Sequence, residues 1–210
     1  MNRGRAARVS GRASLAAPVL LGLALSLLPS CQSRQKYQGW ALDPVVTAPD
    51  LSLAGAGGSR LSLAHPDRPV TLVTFGYTNC PDVCPATLSG WRRIKTRLGG
   101  EAARVRFLFV SVDWRNDRPE AAAGFARRFD PGFEGAVADS AQLTRLLPAF
   151  RAAARYDTLP GSTQSVTHTD YSYLVDAAGR IRLSYEFASE PAKLEHDIRA
   201  LLHERPAAAR

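Results

Sequence analysis

Two stretches of the chain, residues 69–76 (PVTLVTFG) and 104–113 (RVRFLFVSVD), carry apolar or β-branched side chains at most positions instead of alternating with polar ones. A strand with one wet face alternates; a strand written this way must be covered on both faces, as in parallel α/β sheets. Between the two runs, Leu88, Trp91, Ile94 and Leu98 recur at helical spacing, and Gly99-Gly100 ends the helix. The rest of the chain continues the alternation. Pro119 opens a helix reaching residue 129, with Asp117 near its start, and residues 133–138 form a shorter strand. Ser140 is the expected N-cap of a helix bearing Leu143, Leu146, Leu147 and Phe150, kinked at Pro148.

Residues 157–166 read as a polar loop, followed by strands at 171–176 and 180–187 joined by a turn at 177–179. Ser189 is the expected cap of a last amphipathic helix with Leu194, Ile198, Leu201 and Leu202 on its apolar face. Near the start, Leu51-Ser-Leu and Leu61-Ser-Leu flank the glycine-rich residues 55–59, a hairpin pattern. A hairpin, two βα units, a strand, a helix, two strands and a helix describe an α/β domain of thioredoxin-like fold. It has an N-terminal β-hairpin extension and a C-terminal β-hairpin plus helix.

Residues 1–30 have the form of a lipoprotein-type signal peptide. Arg3, Arg5, Arg8 and Arg12 precede an apolar run over residues 15–28, too short to span a bilayer comfortably as a mature helix. The run ends in Leu28-Pro29-Ser30-Cys31, a pattern similar to a bacterial lipobox, which makes Cys31 the expected lipidation site. The expected organisation is a signal at 1–30, a tether at 31–47, the domain at 48–204 and a tail at 205–210. The location that follows is the cell membrane, lipid-anchored, facing the periplasm or extracytoplasmic space. The net charge of +8 does not point to nucleic acid. Without the four arginines of the signal, 23 basic residues face 19 acidic ones, spread along the chain with no basic cluster interleaved with aromatics.

With Cys31 assigned to lipid, the exported domain keeps one cysteine pair, Cys80 and Cys84. A bridge between them closes too small a loop to stabilise much, so chemistry explains the pair better than structure does. Cys80 follows a buried strand and Cys84 lies at a helix entrance; a near-helical turn puts both sulfurs on one face. The helix N-terminus favours thiolate, and Pro81 and Pro85 stiffen the turn. Two such thiols can form a disulfide or chelate a metal, and the spacing alone does not choose.

A third ligand would identify the metal. His196 and His203 fall on or just after the last amphipathic helix and His65 in a turn, all solvated positions. His168 ends the long polar loop before a core strand, and thioredoxin-like topology carries that loop to the Cys turn. Two thiolates and one imidazole suit copper, as Cu(I) or Cu(II). Structural zinc would want a fourth protein ligand, and no further Cys remains. Asp113, at the end of a buried strand, is either an acceptor that orients His168 or a turn carboxylate. Tyr77 either shields the metal or packs, and Trp114, on a loop beside the site, is either a partner contact or a loop aromatic with no function.

Residues 75–85 (FGYTNCPDVCP) closely resemble the Sco/SenC family signature. Ser111-Val-Asp113 with Asp117-Arg-Pro-Glu120 resembles its second motif, and His168 ahead of Tyr173-Leu-Val-Asp176 matches the family histidine. The resemblance spans about residues 50–203. It implies a copper-binding metallochaperone that helps assemble the binuclear copper centre of cytochrome c oxidase subunit II, with Cys80, Cys84 and His168 as ligands and a periplasmic copper donor upstream. Two departures stand out: Trp114 replaces the Pro that often follows the motif Asp, and the loop before His168 is short. A thiol–disulfide oxidoreductase acting on the oxidase cysteines through Cys80 and Cys84, or a copper or redox sensor, uses the same residues.

Overall fold

The computed structural model describes residues 37–157 and 165–204. Their strands are β1 (Trp40–Thr47), β2 (Leu53–Gly55), β3 (Arg60–Leu61), β4 (Val70–Gly76), β5 (Val105–Ser111), β6 (Phe133–Val137), β7 (Ala154–Asp157), β8 (Ser165–His168), β9 (Ser172–Asp176) and β10 (Arg180–Tyr185). Helices α1 (Val83–Leu98), α2 (Pro119–Arg127), α3 (Ser140–Ala149) and α4 (Pro191–His203) alternate with them. Eight strands make one sheet in the order β1-β10-β9-β4-β5-β6-β2-β3. The two strands with the most continuous apolar sequence, β4 and β5, sit at its centre as parallel neighbours, Val70 beside Val105 and Gly76 beside Ser111.

Period-two alternation divides the core. Leu72, Phe107, Phe109 and Leu174 pack with the apolar stripes of α1, α2 and α4. Val73, Phe75, Leu108, Val110 and Tyr173 point the other way, against Leu143, Leu146, Leu147 and Phe150 at α3. Every residue of β4 and β5 is buried, as a strand covered on both faces requires. The parallel β4-β5-β6 core, extended by antiparallel β9 and β10, is the thioredoxin-like arrangement expected from the element order.

Four local readings change. Residues 40–47, read as tether from their polarity, form edge strand β1 on β10, where only Leu42 is buried among exposed and half-exposed neighbours. An edge strand needs few apolar residues because its backbone hydrogen bonds carry it, and Pro44 falls where the register shifts. The segment before it is held by Asp197, a fully buried carboxylate on α4 that accepts from the amides of Gln38 (2.9 Å) and Gly39 (2.8 Å) and from the Tyr185 hydroxyl (2.7 Å).

The polar loop at 157–166 is bounded by a two-stranded ribbon, β7 on β8, with Ala154 opposite His168 and Tyr156 opposite Val166. Asp139, not Ser140, caps α3 in a reciprocal box with Gln142. Helix α4 opens at Pro191, whose missing N–H is one of the donors a first turn leaves unpaired, with Glu190 before it in place of a Ser189 cap.

Candidate metal centre

The site is built where β4 ends. After Gly76 the chain turns sharply, the Cys80 amide donating to the Tyr77 carbonyl at 3.2 Å. Helix α1 then begins without help from its N-cap side chain, since Asp82 makes no capping bond. The Cys80 sulfur takes that role, accepting the Cys84 amide at 3.4 Å. It thereby meets one of the donors that the first turn of any helix leaves unpaired. Cys84 projects inward, 3% exposed, and Cys80 is 9% exposed. Gly76 makes room: a Cβ there would lie 2.6 Å from the Cys84 sulfur and 2.8 Å from the Phe109 ring.

His168 arrives from the opposite half of the chain, at the end of the β7–β8 ribbon. Its Nδ1 lies 3.0 Å from the Thr169 carbonyl, which can only accept, so Nδ1 carries the proton and Nε2 presents a lone pair. Nε2 faces the Cys84 sulfur at 3.6 Å. The Tyr77 ring stands edge-on to the imidazole with centroids 5.7 Å apart, closing one side. The two sulfurs and the imidazole nitrogen all lie within 4.8 Å of one another. One ion can bind all three with small side-chain movements.

Burial alters the expected electrostatics. The helix terminus favours thiolate, but both sulfurs are largely enclosed and burial pushes the Cys84 thiol well up, with Cys80 beside it adding to the rise. Burial also raises the Tyr77 phenol, helped by the neighbouring sulfurs. A thiol kept protonated by its surroundings would release its proton to water when a cation takes the sulfur lone pair, and sulfur favours a soft cation. Both cysteines are thiols in this structure. The donor set, two sulfurs and one neutral imidazole nitrogen, fits copper.

In the sequence Asp117 stands near a helix start, within the stretch that resembles the second Sco/SenC motif, and has no role assigned to it. It is 6% exposed and anchors the cysteine loop, accepting from the Thr78 amide at 2.8 Å and from the hydroxyls of Thr78 and Ser111. One carboxylate thus ties the loop that leads to Cys80 to the end of β5. Asp113 sits behind it. Its carboxylate accepts from the Asn116 amide group at 2.9 and 3.0 Å, and its carbonyl accepts the Asp117 amide at 2.8 Å. The acceptor on the His168 ring is the Thr169 carbonyl, while the Asp113 carboxylate closes the turn that aims Asp117. Replacing Asp117 with Ala strands one buried donor, the Ser111 hydroxyl, and two partly buried ones on Thr78. The unfolding free energy should fall by about 1–3 kcal/mol in a urea titration; an unchanged midpoint would contradict the anchoring role.

The remaining histidines stay apart from the site. His65 faces Asp50 at 3.6 Å, His196 faces Asp197 at 2.8 Å and His203 faces Glu101 at 2.9 Å. Cys31 and the signal segment lie outside the described residues, as does the tail at 205–210. Among the described residues no helix is long and apolar enough to cross a membrane.

Comparison with known proteins agrees with this geometry. The chain is 29% identical to apo Sco1 of Thermus thermophilus, with a TM-score of 0.70 over 80% of this chain and 99% of that one. It is 27% identical to Bradyrhizobium japonicum ScoI, a structure with copper bound, with a TM-score of 0.65 over 74% and 99% of the two chains. A SCO2-like protein of Rickettsia conorii is 25% identical over 190 residues, 86% of this chain and 92% of its own length. The SCO1/SenC family profile matches residues 44–203, from β1 to the end of α4, and the chain is therefore a member of the SCO1/SenC family.

Proposed function

We propose that this protein is an extracytoplasmic copper chaperone, lipid-anchored at Cys31, which delivers copper to the binuclear centre of cytochrome c oxidase subunit II. The observation that carries the reading is the meeting of Cys80, Cys84 and His168, residues 84 or more positions apart at the extremes, with their donor atoms within 4.8 Å of one another. The copper-bound Bradyrhizobium japonicum relative supports the metal, and the donor set supports it independently. A periplasmic donor would supply the copper. Delivery requires a site that releases as well as binds. Three protein ligands on a half-open site leave a coordination position through which an acceptor's ligand can enter. Asp113 and Asp117 support the site at one remove by fixing the loop ahead of Cys80.

The test is spectroscopic. Cu(II) added to the reduced full-length protein should produce a thiolate-to-copper charge-transfer band. Forming the Cys80–Cys84 disulfide removes both thiolate ligands and should abolish it. Reduced protein that gives no such band with stoichiometric Cu(II) would sink the assignment.

One feature favours a second reading, a thiol–disulfide oxidoreductase acting on the oxidase cysteines: the two thiols are neighbours, and Cys80 is the more accessible. That activity needs neither His168 nor metal. Fast exchange with a partner disulfide combined with negligible copper affinity would select it. A sensor would leave oxidase activity intact when its gene is deleted, whereas loss of a chaperone lowers activity in a way added copper relieves.

A further inference from the structure

The approach to β1 is clamped to the domain. The buried Asp197 carboxylate on α4 holds the amides of Gln38 and Gly39, and Gly39 lies so close to the Tyr185 ring that a Cβ there would stand 2.5 Å from it. Tyr37, just before, donates its hydroxyl to Glu204 at 3.1 Å and accepts from Arg182 at 3.1 Å. Tyr37 follows Cys31 by six residues, and six residues reach at most about 20 Å. A domain of this size is roughly 40 Å across. A lipid on Cys31 therefore prevents the domain from turning its clamped side away from the bilayer. The two charged residues between Cys31 and Tyr37, Arg34 and Lys36, are both basic, the sign that anionic headgroups attract.

Strand β1 starts at this clamp and carries the two most exposed large apolar side chains among the described residues, Trp40 at 72% and Val45 at 53%. Trp114, by contrast, has the Arg115 guanidinium over its ring at 5.0 Å; among the described residues no cation covers Trp40. β1 is the outermost strand of the sheet, so its far edge is open. That edge is built against pairing with another strand. Pro44 has no N–H, the register shifts between Ala41 and Val46, and the Arg151 guanidinium donates to the Asp43 carbonyl. The charges alongside are balanced: Arg180 and Arg182 face Asp176 and Glu204, and Asp43 is exposed. Apolar side chains on an edge that refuses a strand suit a lipid interface, where tryptophan settles at headgroup level.

We infer that the open edge of β1, led by Trp40, is a second membrane contact that lies on the lipid surface and fixes the orientation of the domain above it. The Asp197 clamp makes the contact rigid, because it joins the tether to the folded domain immediately before Trp40. A lipid chain alone holds a protein at the bilayer without orienting it; a contact at a fixed point on the sheet does both. The orientation bears on the metal centre. Trp40 lies opposite Ser184, Ser184 opposite Tyr173 and Tyr173 opposite Val73, so Trp40 is about 14 Å to the side of β4 in strand spacings. It stands toward the end of the sheet at which β4 runs into the cysteine loop. The copper ligands are thereby held on the bilayer side of the domain, within reach of an acceptor seated in the same membrane. This inference rests on the anchored reading, since Cys31 supplies the tether.

The test is tryptophan quenching in a membrane. The chain has three tryptophans, so Trp114→Phe leaves Trp40 and the buried Trp91 as emitters, and Trp40→Phe/Trp114→Phe leaves Trp91 alone. Both full-length proteins, purified from membranes with their lipid, are placed in vesicles of phosphatidylethanolamine and phosphatidylglycerol, with and without a nitroxide carried near the headgroup. Emission of the Trp114→Phe protein should fall about twofold with the nitroxide, because one of its two indoles sits at the interface. The double variant should lose little, and its Cu(II) charge-transfer band should match that of the native protein. Quenching that is the same in both proteins, whether β1 is bare or covered by a second copy, overturns the lipid surface and leaves the anchor standing. Failure of the anchored reading is seen separately, by mass spectrometry, as a chain that carries no lipid on Cys31; that result overturns both.

Discussion

Reduced protein carrying His168→Ala will bind copper more weakly than the native chain, by more than the ~10–100-fold that follows loss of a residue merely supporting a ligand. The imidazole is set up as a donor in three ways. The Thr169 carbonyl fixes the proton on Nδ1 at 3.0 Å, the Tyr77 ring closes one side, and Nε2 is left facing the Cys84 sulfur at 3.6 Å. Removing the ring leaves two sulfurs, which hold Cu(I) by linear coordination but lose the nitrogen that makes Cu(II) acceptable. The affinity for Cu(II) should therefore fall further than that for Cu(I), and the charge-transfer band should weaken and move. His196→Ala and His203→Ala are the controls, since their rings face Asp197 and Glu101 and leave copper binding unchanged. Equal copper affinity in His168→Ala and the native protein would remove the third ligand from the site.

Gly76→Ala should damage fold and site together. The added methyl would meet the Cys84 sulfur at 2.6 Å and the Phe109 ring at 2.8 Å. Neither can step aside easily: Cys84 is 3% exposed and Phe109 is fully buried beneath α2. Overpacking of this kind costs about 1–3 kcal/mol, which urea unfolding followed by circular dichroism would register as a lower midpoint. The informative part is the second readout. Because the methyl pushes on the sulfur itself, the copper charge-transfer band should change in energy or intensity even where the protein remains folded. Val73→Ala, a core truncation in the same strand on the opposite face, should lower the midpoint without touching the band. If both variants left the band alone, the close approach of Gly76 would be irrelevant to the metal.

The described residues bear out the central sheet most fully. Continuous apolar runs can only be satisfied between two layers, so β4 and β5 could be placed before any coordinate was known. The amphipathic helices α1 and α4 followed from the same logic, with Leu88, Trp91, Ile94 and Leu98 on one and Leu194, Ile198, Leu201 and Leu202 on the other, all buried. Strand β1 escaped because an edge strand is held mainly by backbone pairing, which leaves little trace in side-chain pattern. The β7–β8 ribbon escaped for a related reason: two four-residue strands with polar and apolar positions mixed resemble the polar loop that connects them.

The site divides along the same line. Cys80 and Cys84 are neighbours in sequence, so their chemistry was open to inspection from spacing and residue type alone. His168 stands out because it ends a loop that a thioredoxin-like topology brings against the Cys turn, an argument from connectivity. The supporting residues were beyond that reach. That the Thr169 carbonyl sets the imidazole tautomer, that Asp117 clamps Thr78 and that Gly76 yields its space to a sulfur depend on distances of a few ångströms between segments far apart in the chain. Local pattern encodes which faces must be hidden and which side chains can ligate, because those are properties of each residue with its near neighbours. How the hidden faces pack, and how far burial lifts the Cys84 thiol, is set by what lies across the fold, and only the tertiary structure supplies that.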